Sequence, residues 1–169
     1  RDKFHINKYL PNNLILKDVT DDYCVLGVFG PNSRLLMQDL SKDDFSKENF
    51  KFATSKYISI NNIKIWAQRM SYVGELGYEL YINFSDAKKI YNLIIEKGLK
   101  YKISNCGMHS MDTMRMESGF LHWGHDISPE ENQYQAGLNF TISYKKGTEF
   151  IGKKALQKIK DQKIDRRFA

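Results

Sequence analysis

The sequence predicts an α+β fold in which antiparallel strand pairs carry packed helices. Three observations predict it: runs of branched residues closed by turn residues, an Asn61-Asn62 pair between two such runs, and the amphipathic stretch SDAKKIYNLIIEKG directly after a strand. With 169 residues, 41% of them hydrophobic, the chain can form one ordinary domain or a large part of one. A charged fraction of 27%, 13% aromatic residues and only three prolines exclude a disordered or low-complexity chain.

LILKDVT and YCVLGVFG read as strands, and GPNSRLLMQDL turns into a helix with Pro31 at or near its first position. KYISI and IKIWAQRMSY read as strands that pair antiparallel, because two asparagines tolerate the positive backbone angles of a hairpin turn. The two glycines of SYVGELG suit a sharp turn, and GYELYINF is a further strand. In the helix that follows, Ser85 is placed to cap the start, Ala87, Ile90, Tyr91, Ile94 and Ile95 form an apolar stripe, and Gly98 suits the end. A second helix runs from about Gly107 to Ser118, with Met108, Met111, Met114 and Met116 beside Asp112, Arg115 and Glu117. An irregular polar and aromatic stretch, FLHWGHDISPEENQ, leads to a short strand near Phe140 to Ser143 and a terminal helix. The last residues, IDRRFA, read as the opening of another strand where the chain stops, which predicts truncation.

Cys24 and Cys106 lie far apart with no CxxC pattern, so a reducing compartment is the expectation. No apolar run reaches the ~18–20 residues a membrane span needs, and RDKFHINKYL has no signal-peptide character. The predicted location is soluble and cytoplasmic, or the mitochondrial matrix in a eukaryote. A net charge of +6 raises nucleic acid as a partner. Its distribution argues against this. Much of the excess lies in KKALQKIKDQKIDRR, where Ile151, Ala155, Leu156 and Ile159 recur at helical spacing and the lysines occupy the solvated remainder.

Four stretches, in order, carry a family resemblance: KDVTDDYCVLGVFGPNSRLLMQDL, SYVGELGYELYI, CGMHSMDTMRMESGFLHWGHDI, and AGLNF followed by FIGKKAL. Together they resemble the folate-binding aminomethyltransferase domain of the glycine cleavage T-protein, and YVGELGYELY with HWGHD is most similar to its dimethylglycine and sarcosine dehydrogenase branch. The resemblance implies an incomplete T-protein-like domain over residues 1–169: a strand, helix, hairpin and helix unit at about 22–104, then a helix, the HWGHD loop and a terminal helix at 105–169. It also implies tetrahydrofolate as cofactor, a methylated amine as substrate and 5,10-methylenetetrahydrofolate as product. The family's catalytic aspartate is expected upstream of Arg1, as is an FAD-bearing domain in the dehydrogenase branch. A closing barrel is expected downstream.

By the same resemblance, Tyr72 and Glu79 fall where an aromatic and a carboxylate meet the pterin. The chemistry fits independently, since a pterin presents an N–H and an adjacent NH₂ that a carboxylate can accept together. Strand alternation alone leaves Glu79 equally a solvent-facing residue. Glu75, between the glycines, reads first as a surface turn residue. Arg115 matches an arginine that braces the folate channel, and an ion pair with Asp112 one turn back is its structural alternative. Trp123 matches an aromatic that packs on the pterin or aminobenzoyl ring, with core packing as its alternative. Where T-proteins often carry a further arginine, this chain has Met111.

His122, His125 and Asp126 are competent zinc ligands, but their spacing does not suit one helix face and no third histidine or cysteine is close by. No metal is expected. A nucleophile elbow and phosphate-binding glycine loops are absent from the sequence. The competing functional readings are a glycine cleavage aminomethyltransferase and an interaction module that keeps the fold without folate.

Overall fold

The computed structural model describes residues 2–162. Contacts cluster the chain into two compact units, residues 1–118 and 119–169. The first contains α1 (Asp2–Tyr9), β1 (Tyr23–Phe29), α2 (Ser33–Leu40), β2 (Ser55–Ile60), β3 (Ile63–Gln68), β4 (Gly77–Asn83), α3 (Ala87–Gly98) and α4 (Met108–Glu117). The second contains α5 (Lys153–Ile159) among turns.

The predicted hairpin forms between β2 and β3. Asn61 and Asn62 take φ of 49° and 63°, which gives a two-residue connection the twist that paired strands require. Every pair in the four-stranded sheet is antiparallel, in the order β1-β4-β3-β2. Because side chains alternate, one face gathers Val28, Ile58, Ile60, Ile65, Ala67, Tyr78, Leu80 and Ile82, all buried. Leu36 and Met37 of α2 and Ile90 and Ile94 of α3 close that face. Phe45 and Phe50, from the connection after α2, pack on Tyr78 with ring centroids 5.2 and 5.4 Å away. Such tilted and edge-on pairs suit aromatic quadrupoles.

Several expectations are corrected. Leu14–Val19 form no strand and pass into a 3-10 turn at Thr20–Asp22. Phe140 lies in another 3-10 turn, Asn139–Thr141, in place of the predicted strand. Both segments have branched residues but no neighbouring ladder, and a strand needs its backbone groups paired. Ser85 does not cap α3: it sits inside a 3-10 turn, Phe84–Asp86, and no side-chain cap bond is made. The α3 stripe forms through Ile90 and Ile94, while Tyr91 is exposed. Helix α3 does end at Gly98, in right-handed geometry, and the left-handed residue that stops the turn after it is Lys102, with φ of 60°. Helix α5 spans seven residues and buries Leu156 alone of its predicted stripe. The predicted IDRRFA strand lies outside the described residues.

Candidate functional site

The face of the sheet turned away from α2 and α3 has an ordered chemistry that follows from strand register. Val25 stands opposite Tyr81, Tyr81 opposite Trp66, and Trp66 opposite Tyr57, so four residues from four strands form one row. The adjacent row is Gly27, Glu79, Gln68 and Ser55. Glu79 is thus the acidic member of its row and lies beside an aromatic one. Trp66 and Tyr81 pack with centroids 4.9 Å apart, yet Trp66 stays 38% exposed and Tyr57 62% exposed. A contiguous apolar strip with polar neighbours on an open face is the signature of a binding surface.

Phe29, opposite Gly77, stands in the row on the other side of the Glu79 row. A Cβ added to Gly27 would lie 2.6 Å from Phe29 Cε2, and one at Gly77 would lie 3.1 Å from Cε1. The ring therefore rests on two glycines, one of them the register partner of Glu79. No larger residue fits beneath it.

Glu79 is half-buried, and its Oε2 accepts a hydrogen bond from the Tyr81 hydroxyl at 3.1 Å. Burial pushes the Tyr81 phenol above its ordinary range, and the Glu79 charge and hydrogen bond push it further the same way. Tyr81 also lines a groove of about 1040 Å³ between the open sheet face and the N-terminal segment. Lys3 and Lys17 border this groove on one side and Tyr57, Lys64 and Trp66 on the other. Its size is at the upper end of small-molecule sites. Glu79 does not line it and is joined to it through Tyr81.

The groove's N-terminal wall is held by Asp18, which accepts from the Thr20 hydroxyl at 2.7 Å and its amide at 3.2 Å and pairs with Lys3 at 3.2 Å. These bonds, the Thr20 hydroxyl foremost, hold the exposed Asp18 carboxyl down at about 2. On the rim, the Lys64 ammonium lies 4.1 Å from the Tyr57 ring centroid.

Tyr72 is half-buried in the turn between β3 and β4. Gly74 in that turn has φ of +76°, so the predicted sharp bend exists, and Glu75 is exposed on it. Arg115 pairs with Asp112: its Nε donates to Asp112 Oδ1 at 2.7 Å and its side chain is 2% exposed. An arginine placed three residues after an aspartate on one helix face reaches it directly.

Trp123 belongs to the second unit and is 54% exposed, pairing with Ile127 through an isolated backbone bridge. Its loop is a tight turn closed by Asp126, whose Oδ2 accepts from the His122 amide at 2.8 Å. The His122 and His125 rings stack at 5.7 Å, and His125 Nδ1 lies 3.4 Å from Asp126 Oδ1. Among the described residues no group of three or more potential ligands is arranged to hold a metal.

Sequence reasoning singled out Glu79 and did not single out Tyr81, which donates to it, or Phe29 and Trp66 in the rows on either side. The available signal was alternation: each lies at an outward position of its strand, and an outward aromatic on a half-buried sheet is informative.

The comparisons with known proteins agree with this architecture. Residues 1–146 match the family model described as the GCVT N-terminal domain. Human mitochondrial dimethylglycine dehydrogenase is 39% identical over 152 residues, which is 90% of this chain and 18% of that protein. An aminomethyltransferase of Symbiobacterium thermophilum is 31% identical over 152 residues, 89% of this chain and 40% of that protein. The chain thus spans under half the length of these curated relatives. Among solved structures, the heterotetrameric sarcosine oxidase from Corynebacterium sp. U-96 superposes with a TM-score of 0.52 at 16% identity, over 60% of this chain and 51% of that one, a likeness of fold. With residues 1–146 in the family model, most of its length, the chain belongs to the GCVT N-terminal domain family.

Proposed function

We propose that this chain is the folate-holding portion of a flavin-linked demethylating dehydrogenase of the dimethylglycine or sarcosine type. The observation that carries the reading is Glu79 set between the Phe29 ring and the Trp66–Tyr81 pair on an open sheet face. Those residues fit a reduced pterin. A carboxylate accepts from the ring N–H and the neighbouring NH₂ at once, and flanking aromatics supply flat apolar surface. Tyr81 orients the carboxylate through its hydroxyl. On the family resemblance alone, Tyr72, Arg115 and Trp123 are further proposed folate contacts.

Bound tetrahydrofolate would take up the one-carbon unit released from a methylated amine and leave as 5,10-methylenetetrahydrofolate. The residues of this chain bind and orient it. The acid or base for the amine nitrogen, and FAD, belong in this reading to other segments of the parent protein. The dehydrogenase relative is named as mitochondrial, which supports a matrix location in a eukaryotic parent. Among the described residues no helix is long and apolar enough to cross a membrane.

A glycine cleavage aminomethyltransferase is the second reading, supported by the relative that matches 89% of this chain under that name. Calorimetric titration of the intact parent protein with tetrahydrofolate tests both. Saturable heat with thermal protection is expected. Absence of both would leave an interaction module of the same fold.

A further inference from the structure

The two edges of the sheet differ in what covers them. In an antiparallel ladder, residues that exchange hydrogen bonds with the neighbouring strand alternate with residues whose amide and carbonyl point away from it. The Gly30 amide donates to the Leu76 carbonyl at 2.8 Å, in line with the β1–β4 register. Counting back from that pair, Val28, Leu26 and Cys24 bond to β4, and Phe29, Gly27 and Val25 direct their backbone groups out from the sheet. On the far edge the Arg69 amide donates to the Thr54 carbonyl at 2.9 Å, so by the same count Ser59 points outward from β2.

The chain itself closes the β2 edge. Asp43 Oδ2 accepts from the Ser59 amide at 2.8 Å, Ser41 forms a backbone bridge with Ile60, and Lys56 places a charge on the strand. Ile58 and Ile60 on the core face of β2 are buried. The β1 edge lacks these features. Tyr23–Phe29 is seven residues long, unbroken in register, and has neither charge nor proline, the devices that keep an edge from pairing. Among the described residues nothing bonds to the outward amides and carbonyls of Val25, Gly27 and Phe29. Cys24 and Leu26, on the core face of β1, stay half-buried, whereas their register partners Ile82 and Leu80 are fully buried.

We propose that β1 receives a fifth strand, supplied by a segment of the parent polypeptide outside these 169 residues. Human dimethylglycine dehydrogenase and the Symbiobacterium thermophilum aminomethyltransferase extend well past the matched region, which is 18% and 40% of their lengths. A segment of the same polypeptide is held near the edge at an effective concentration of up to about millimolar, which favours it over a separate partner. The register dictates its chemistry. Positions beside Cys24 and Leu26 are apolar, because they cover the core, and positions beside Val25 and Gly27 lengthen the aromatic row and the Glu79 row on the open face. The chain's own Leu14–Val19 segment lies elsewhere, since Leu16, Lys17, Asp18 and Val19 line the groove on the open face. A fifth strand forms with or without folate on that face.

Residue-resolved hydrogen–deuterium exchange on the intact parent protein, without folate, is the test. The amides of Val25, Gly27 and Phe29 should exchange at least about tenfold more slowly than in an unstructured peptide, as should those of Cys24, Leu26 and Val28. An alternating pattern, with Cys24, Leu26 and Val28 slow and Val25, Gly27 and Phe29 fast, would mean a bare edge and overturn the proposal. The protection should also survive dilution and the double substitution Ile15→Pro, Leu16→Pro. Loss on dilution would assign the edge to a second copy, and loss in the double variant would assign it to Leu14–Val19; either result overturns the proposal.

Discussion

The Tyr81 hydroxyl donates to Glu79 Oε2 at 3.1 Å, joining two residues of one strand that emerge on the same face of the sheet. Successive outward residues of a strand stand about 7 Å apart at the backbone, so a long phenol leaning along the strand can reach the carboxylate. The acid is thereby tied to the aromatic row that borders the large groove.

Glu79→Gln keeps the shape of the side chain and removes its charge. In the full-length parent protein it should weaken tetrahydrofolate by on the order of 1–3 kcal/mol, the range for losing a charge-assisted hydrogen bond. Calorimetry gives the difference directly. Unchanged affinity would remove Glu79 from the folate site.

The raised Tyr81 phenol makes stability depend on alkaline pH. Its folded pKa lies above the ordinary value of 10.0, so the neutral phenol is favoured in the fold. The stabilisation is fully present below that ordinary value and is lost as pH rises through the folded one. Thermal melts of the native protein and of Tyr81→Phe should therefore differ by a constant amount through neutral pH and converge in strong alkali. Parallel curves throughout would contradict the linkage.

At Gly74, with φ of +76°, an L side chain is strained, and an added Cβ would also meet Ser118 Cβ at 2.7 Å. Gly74→Ala should cost on the order of 1–3 kcal/mol in urea unfolding. Adding Ser118→Ala should not restore the loss, because the obstructing β-carbon remains. Full rescue would show that the Ser118 hydroxyl alone was the obstacle.

Tyr78 is fully buried between Phe45 and Phe50, and its hydroxyl has no partner among the described residues. Tyr78→Phe should stabilise the protein by on the order of 1 kcal/mol, since it deletes an unsatisfied polar group and keeps the ring contacts. Chemical denaturation should show a higher midpoint at unchanged slope. A lower midpoint would mean that a buried water serves the hydroxyl.

Local chemistry made much of this fold legible. Asn61-Asn62 specified the hairpin, alternation in GYELYIN marked β4, and Ile90 with Ile94 marked the buried stripe of α3, because each depends on neighbours within one or two turns of chain. The Arg115 pair with Asp112 was visible for the same reason, as a three-residue helical spacing. Leu14–Val19 and Phe140–Ser143 were misread as strands, since composition can favour an extended backbone but cannot provide a ladder.

By itself the sequence determined the elements with short-range causes, and the family resemblance, not local spacing, singled out Glu79. Only tertiary structure decided what surrounds that residue. Val25, Trp66 and Tyr57 reach the row of Tyr81 because β4 lies between β1 and β3 in one particular register, and the Phe29 ring lies over Gly27, the register partner of Glu79, because Gly27 and Gly77 leave space for it. Register is set jointly by every core contact on the opposite face, so no local stretch of chain encodes it.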